Sequence, residues 1–270
     1  MEAREIMHPS DAKTIQVFRS LRGFDLVASI ALRYGYERLY HGENLGELIK
    51  VTDENFPEVA KALHVVVARV GIEEPRLFIY NAPQMNAYTF GNEDPFIAVS
   101  SSMVEKMDQS ELRCILAHEC GHILCQHSFY LTILHIMEEA GDLFGLLSDT
   151  VFLPCLIALR YWSRCSELSA DRCAAAVVGE ETFQRAMLKL TSGLAEIQGD
   201  PYQLVRQADE YEKFRGESLW DKVQQAGRIA FNTHPQMCER ALETHRWCKS
   251  WQYRQLAAEA EKGGAHDGFV

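Results

Sequence analysis

The stretch His118-Glu119-Cys120-Gly121-His122 sets two histidines four residues apart with a glutamate between them. On an α-helix, side chains at i and i+4 share one face. Two imidazoles so placed reach a single metal ion, and Glu119 is positioned to act as a base on a water at that ion. The flanking residues predict the helix that this needs. Asp108 or Ser110 caps its start, Glu111 falls in its first turn, and Leu112, Ile115, Leu116, Ile123 and Leu124 recur at helical spacing. Gly121 is the one poor helix former inside, and its missing side chain lets another backbone come close. The plain alternative is a surface helix with two histidines and a glutamate by accident, so the decision falls to the other ligands.

A catalytic zinc site keeps three protein ligands and one open position, and HExxH supplies two. The extended pattern HExxHxxGxxH requires glycine at 125 and histidine at 128, where the chain has Cys125 and Ser128. His127 lies about 140° around a continuing helix from His122, so it and His135 read as packed or solvated helix residues. The remaining candidate is Glu167, in Ser166-Glu167-Leu168-Ser169-Ala170-Asp171-Arg172. Asp171, four residues on, shares its face. Such a carboxylate accepts the N–H of a ligating imidazole and fixes its tautomer. A set of surface ion pairs among Glu167, Asp171, Arg164 and Arg172 is the bland counterpart. Cys120 and Cys125 lack partners at zinc-finger spacing.

With 270 residues, 47% hydrophobic and 24% charged, the chain has the composition of a globular protein with a sizeable core. Its net charge of -11 argues against nucleic acid as a partner. The eight cysteines form no CxxC pair. The charged start Met1-Glu2-Ala3-Arg4-Glu5 has no apolar run behind it of the kind a signal peptide carries. Together these predict free, buried thiols in a reducing, cytoplasmic setting. In the apolar region from Ile123 to Tyr161, the longest stretches without Asp, Glu, Lys or Arg are Ile123–Met137 and Thr150–Leu159. Both fall short of the roughly eighteen to twenty apolar residues of a transmembrane span. They read as buried helices, with peripheral membrane contact left open.

Thr14 to about Leu39 predicts an N-terminal helix, Gly42–Pro57 a connection, and Glu58–Val70 a second helix stopped by Gly71. Arg76–Tyr80, Asn86–Gly91 and Phe96–Ser100 read as three short strands. From Ser163 onward the pattern is helical. The expected fold is α+β and mostly helical, with a three-stranded sheet packed on the HExxH helix. No Gly/Ser/Pro-rich linker divides the chain. Residues 1–70 are expected as an N-terminal helical segment packed on a catalytic core at 71–195. Residues 196–258 form a C-terminal helical part of the same domain, and 259–270 a disordered tail.

Four ordered blocks resemble the M48 family of zinc metallopeptidases. Asn86-Ala87-Tyr88-Thr89-Phe90-Gly91 is similar to its NAxxxG strand, and Glu111-Leu112 through Ala117-His118-Glu119-Cys120-Gly121-His122 to its motif helix. Ser166-Glu167-Leu168-Ser169-Ala170-Asp171-Arg172 is similar to its ExxAD segment, and Thr233-His234-Pro235 with Arg240 to its late HPxxxxR element. The resemblance implies a gluzincin-type domain holding one Zn²⁺ through His118, His122 and Glu167. It implies hydrolysis of peptide or protein substrates with Glu119 as general base and Asp171 behind a ligand. His234 becomes the donor to the tetrahedral intermediate, or a gate on the metal, against the alternative of a histidine fixed at a helix start by Pro235. Asn86 and Ala87 fall on an edge strand that pairs with an extended substrate. The alternative function is a zinc-binding but latent or adaptor-type protein, its site occluded or gated by the His234 region. Well-known members carry transmembrane helices around the motif helix, which this chain lacks, so their prenylated substrates do not carry over.

Overall fold

The computed structural model describes residues 1–19, 42, 46–91, 94–139, 149–216 and 235–263. Two N-terminal helices, α1 (Ala3–Ile6) and α2 (Pro9–Arg19), come first, then a two-residue strand β1 (Ile49–Lys50) and helix α3 (Pro57–Val70). Pro57 opens α3 where no N–H is needed, and Gly71 closes it at φ 81°, a left-handed cap that residues with side chains rarely adopt. Strands β2 (Arg76–Tyr80), β3 (Ala87–Phe90) and β4 (Phe96–Ser100) follow, then helices α4 (Ser101–Lys106) and α5 (Gln109–Leu124), which carries the motif. The remainder is helical: α6 (His127–Glu139), α7 (Asp149–Val178), α8 (Glu180–Ser192), α9 (Gln203–Gly216), α10 (Met237–Cys248) and α11 (Trp251–Gly263).

The sheet has four strands in the order β1-β2-β4-β3, not the expected three. β2 and β4 run parallel, while β1 and β3 lie antiparallel at the two edges. β1 pairs only Ile49 with Ile79 and Lys50 with Phe78. Two residues are too few for alternation to register as a pattern, which is why this segment reads as a connection. Leu77, Ile79, Ile97 and Val99 point from one face into the main core with α3 and α5. Phe78, Phe90, Phe96 and Ala98 form a smaller cluster on the other face.

α5 is buried on almost every side, packed by α3, α7, α8 and β3. α7 is a 30-residue helix with Pro154 in its second turn, where one ladder bond is forfeited. Its apolar run has two faces. Cys155, Leu159 and Trp162 are buried, but Leu153, Ile157 and Tyr161 are 49%, 44% and 51% exposed, so the expectation of a buried helix holds for one face only. α2 packs on α7. It starts at Pro9, earlier than the expected Thr14, and residues 20–39 of the expected helix lie outside the described residues. At the other end α11 runs to Gly263, into the first residues of the expected 259–270 tail, and residues 264–270 lie outside the described residues. No helix among the described residues is long and apolar enough to cross a membrane. All eight cysteines are buried free thiols.

Candidate active site

Asp108 is the cap of α5. Its Oδ1 accepts the N–H groups of Ser110 and Glu111 at 2.8 and 2.9 Å, and Glu111 accepts the N–H of Asp108 at 2.9 Å, a reciprocal capping box. Glu111 also binds Lys189 Nζ of α8 at 2.6 Å in a buried ion pair. Further along, Gly121 determines how near α7 comes. A Cβ on it would stand 2.7 Å from Cys173 Cβ and 3.1 Å from Ala170 Cα, inside the contact distance of non-bonded carbons. The close crossing that Gly121 permits carries Glu167 and Asp171 to the face of α5 that presents His118 and His122.

His118 Nε2 and His122 Nε2 are 3.2 Å apart, and the Glu167 oxygens lie 3.6 and 3.5 Å from them. Two donors each about 2.0–2.1 Å from a tetrahedral ion stand roughly 3.3–3.4 Å apart. The three side chains therefore fit around one ion, and among the described residues they form the group able to hold it.

Asp171 stands behind His118, with Oδ1 3.0 Å from Nδ1. Arg240 of α10 grips Asp171 through Nε to Oδ2 at 2.8 Å and Nη2 to Oδ1 at 2.6 Å, and reaches Glu167 Oε2 through Nη1 at 3.0 Å. Burial alone favours a neutral Asp171, but the Arg240 guanidinium and His118 hold its carboxyl below the usual range. Burial disfavours charge on His118 too, yet the hydrogen bond to Asp171 and the Glu167 charge outweigh it and raise that imidazole. For His122, burial and the neighbouring His118 and His127 prevail over Glu167, and its pKa falls.

The helix does not continue through His127. α5 ends at Leu124, Cys125 N–H returns to Gly121 O at 3.0 Å, and Gln126 takes φ 58°. This left-handed turn costs a non-glycine residue about 1–2 kcal/mol. His127 thus opens α6 with its ring beside His122, Nδ1 to Nδ1 at 3.1 Å, and its Nε2 lies 2.9 Å from Asp11 Oδ2. It is absent from the metal group, as its packed reading implies, but it packs on a candidate ligand. The helical-wheel separation fails as a guide because the helix breaks between the two histidines.

Glu119 is buried, and Thr89 Oγ1 of β3 donates to its Oε2 at 2.6 Å. Both border a cleft of about 530 Å³ that also holds Asn86, Ala87, His118 and Glu167. Ala87 pairs with Val99 on one side and belongs to the last strand in the sheet order. Asn86, just before it, accepts Ser100 N–H at 2.9 Å. His234 lies outside the described residues, whereas Pro235 and Arg240 lie within them. Sequence reasoning passed over Thr89, Asp11 and the packing of His127 on His122. Arg240 belongs to the HPxxxxR block and Thr89 to the NAxxxG block, where motif spacing alone gives neither a role, while Asp11 carries no sequence signal at all.

The family model for Peptidase family M48 matches residues 53–247. The chain is 27% identical over 267 residues to the plastoglobule-localized metallopeptidase 48, chloroplastic, of Arabidopsis thaliana, covering 97% of this chain and 77% of that protein. It is 28% identical over 209 residues to protease HtpX of Acinetobacter baumannii (strain AYE), covering 66% of this chain and 67% of that one. It is likewise 27% identical over 225 residues to a protease HtpX homolog of Moorella thermoacetica, covering 69% and 71%. No solved structure matches significantly. The family match spans most of the chain and includes the His118, His122 and Glu167 group, so the chain belongs to peptidase family M48, a family of metallopeptidases.

Proposed function

We propose that the protein is a zinc-dependent endopeptidase holding one Zn²⁺ per chain through His118, His122 and Glu167, with Glu119 as general base. The observation that carries this reading is two imidazole nitrogens 3.2 Å apart, each with a different Glu167 carboxylate oxygen 3.5 to 3.6 Å away, and the Glu119 carboxylate in the same cleft. Zinc, when bound, polarises a scissile carbonyl and makes water more acidic. Glu119 accepts the proton of the attacking water and delivers it to the leaving amine. Thr89 keeps the Glu119 carboxylate at the cleft through its 2.6 Å bond. Asp171 accepts the Nδ1 proton of His118, which leaves Nε2 for the metal. An extended substrate adds to the edge of β3 beside Asn86 and Ala87. His234, by family resemblance, is the donor to the developing oxyanion.

The test pairs wild type with Glu119→Gln, scoring zinc content and hydrolysis of a peptide library. One zinc per chain in both is expected, with hydrolysis by wild type and at least about a hundredfold less by the variant. Equal hydrolysis, or a wild type without zinc, overturns the mechanism. Zinc without any hydrolysis in wild type favours the latent or adaptor reading instead.

A further inference from the structure

His118 and His122 each offer Nε2 to the proposed metal, so each must settle its Nδ1 elsewhere. For His118 the partner is a carboxylate, Asp171. For His122 it is the Nδ1 of another imidazole, His127, at 3.1 Å. Two ring nitrogens that face each other share one proton, with one donor and one acceptor.

The surrounding bonds say which is which. Asp11 is fully buried, and Trp162 Nε1, which can only donate, meets its Oδ1 at 2.9 Å. Ser169 Oγ accepts the backbone N–H of His8 at 2.9 Å and directs its own proton to Asp11 Oδ2 at 2.6 Å. His127 Nε2, 2.9 Å from the same carboxylate, is therefore the third donor. With its proton on Nε2, His127 presents Nδ1 as an acceptor, and the proton between the rings belongs to His122 Nδ1. That leaves His122 Nε2 with its lone pair facing Glu167 and His118. The left-handed Gln126 is what brings His127 into this place.

We infer that His127 and Asp11 are positioning residues that orient His122 for metal binding and tie metal affinity to the seating of α2. The inference rests on the metal-site reading above. Asp11 stands on α2, Ser169 and Trp162 on α7, and His127 on α6, so three elements must be docked for His122 to be held. Removing an outer partner of this kind typically weakens metal binding 10- to 100-fold.

The experiment measures zinc affinity by chelator competition and the visible spectrum of the cobalt(II)-substituted full chain. His127→Phe removes the acceptor, whereas His127→Asn keeps an oxygen near the Nδ1 position. Zinc affinity should fall roughly 10- to 100-fold in His127→Phe with an altered cobalt spectrum, and stay within about fivefold of wild type in His127→Asn. If the phenylalanine variant does not fold, Asp11→Asn serves in its place, with a fall of about tenfold expected. Wild type without metal affinity would sink the metal site itself. Wild-type binding with an unchanged His127→Phe, or an unchanged Asp11→Asn where that variant is used, would sink the positioning role alone. Equal losses in His127→Phe and His127→Asn with a wild-type cobalt spectrum would also sink it, reducing His127 to packing.

Discussion

His118 and His122 sit one turn apart on α5, yet they are braced from different elements and by different chemistry. His118 leans on a carboxylate at 3.0 Å that is itself gripped by the buried Arg240. His122 leans on an imidazole at 3.1 Å, and its carboxylate, Asp11, stands one ring further away. The difference follows from charge. Glu119, Glu138, Glu167 and Asp171 already line the cleft, and a further carboxylate against the buried His122 would add repulsion. An imidazole spacer orients the ligand without bringing that charge into contact.

Breaking the charged brace should have the largest effect. Asp171→Ala leaves Arg240 buried without its main partner, and a loss of about 3–5 kcal/mol is expected in urea unfolding of the metal-free protein. His127→Phe on the other brace should cost less, about 1–3 kcal/mol. Equal losses would erase the distinction between the two.

Gly121→Ala attacks both braces at once, because Asp171, Ser169 and Trp162 all ride on α7. Its added methyl meets Cys173 Cβ at 2.7 Å, and overpacking should cost about 1–3 kcal/mol with a parallel drop in zinc affinity. Wild-type stability together with wild-type affinity would show that the helix crossing has slack. Thr89→Val touches neither brace. A fall of about tenfold in kcat, or about 1.4 kcal/mol, with zinc content unchanged is expected from loosening Glu119. Lost zinc would mean that the base and the metal group are not separable.

The smallest effect concerns acid. Burial opposes ionisation of Asp11, but the His127, Ser169 and Trp162 hydrogen bonds prevail and set its folded pKa below the ordinary 3.8. A depressed carboxylate adds stability that is complete above its unfolded value and is lost as pH falls through the folded one. Asp11→Asn should therefore flatten the loss of stability below about pH 4 while leaving the slope from pH 5 to 8 alone. An acid limb as steep as that of wild type would place the titration elsewhere, with Asp171 the first alternative.

Local rules made much of the fold legible. Gly71 ends α3, Asp108 and Glu111 cap α5, and three of the four strands announce themselves through apolar runs bounded by turn residues. What escaped was decided by neighbours. β1 is two residues borrowed by the edge of β2, and the apolar run of α7 divides into buried and exposed faces according to what packs beside it. The same division runs through the site. Residues at i and i+4 on one helix, His118 with His122 and Glu167 with Asp171, are pairs that sequence determines by itself, because helical geometry relates them wherever the helix goes. That Gly121 lets α5 and α7 cross closely enough to merge those pairs is half legible, since the glycine marks the approach without naming what arrives. The Asp11–His127–His122 chain belongs to tertiary structure alone. It depends on a left-handed Gln126 and on a side chain 116 positions away from His127, and no periodicity connects residues whose contact is made by the docking of separate helices.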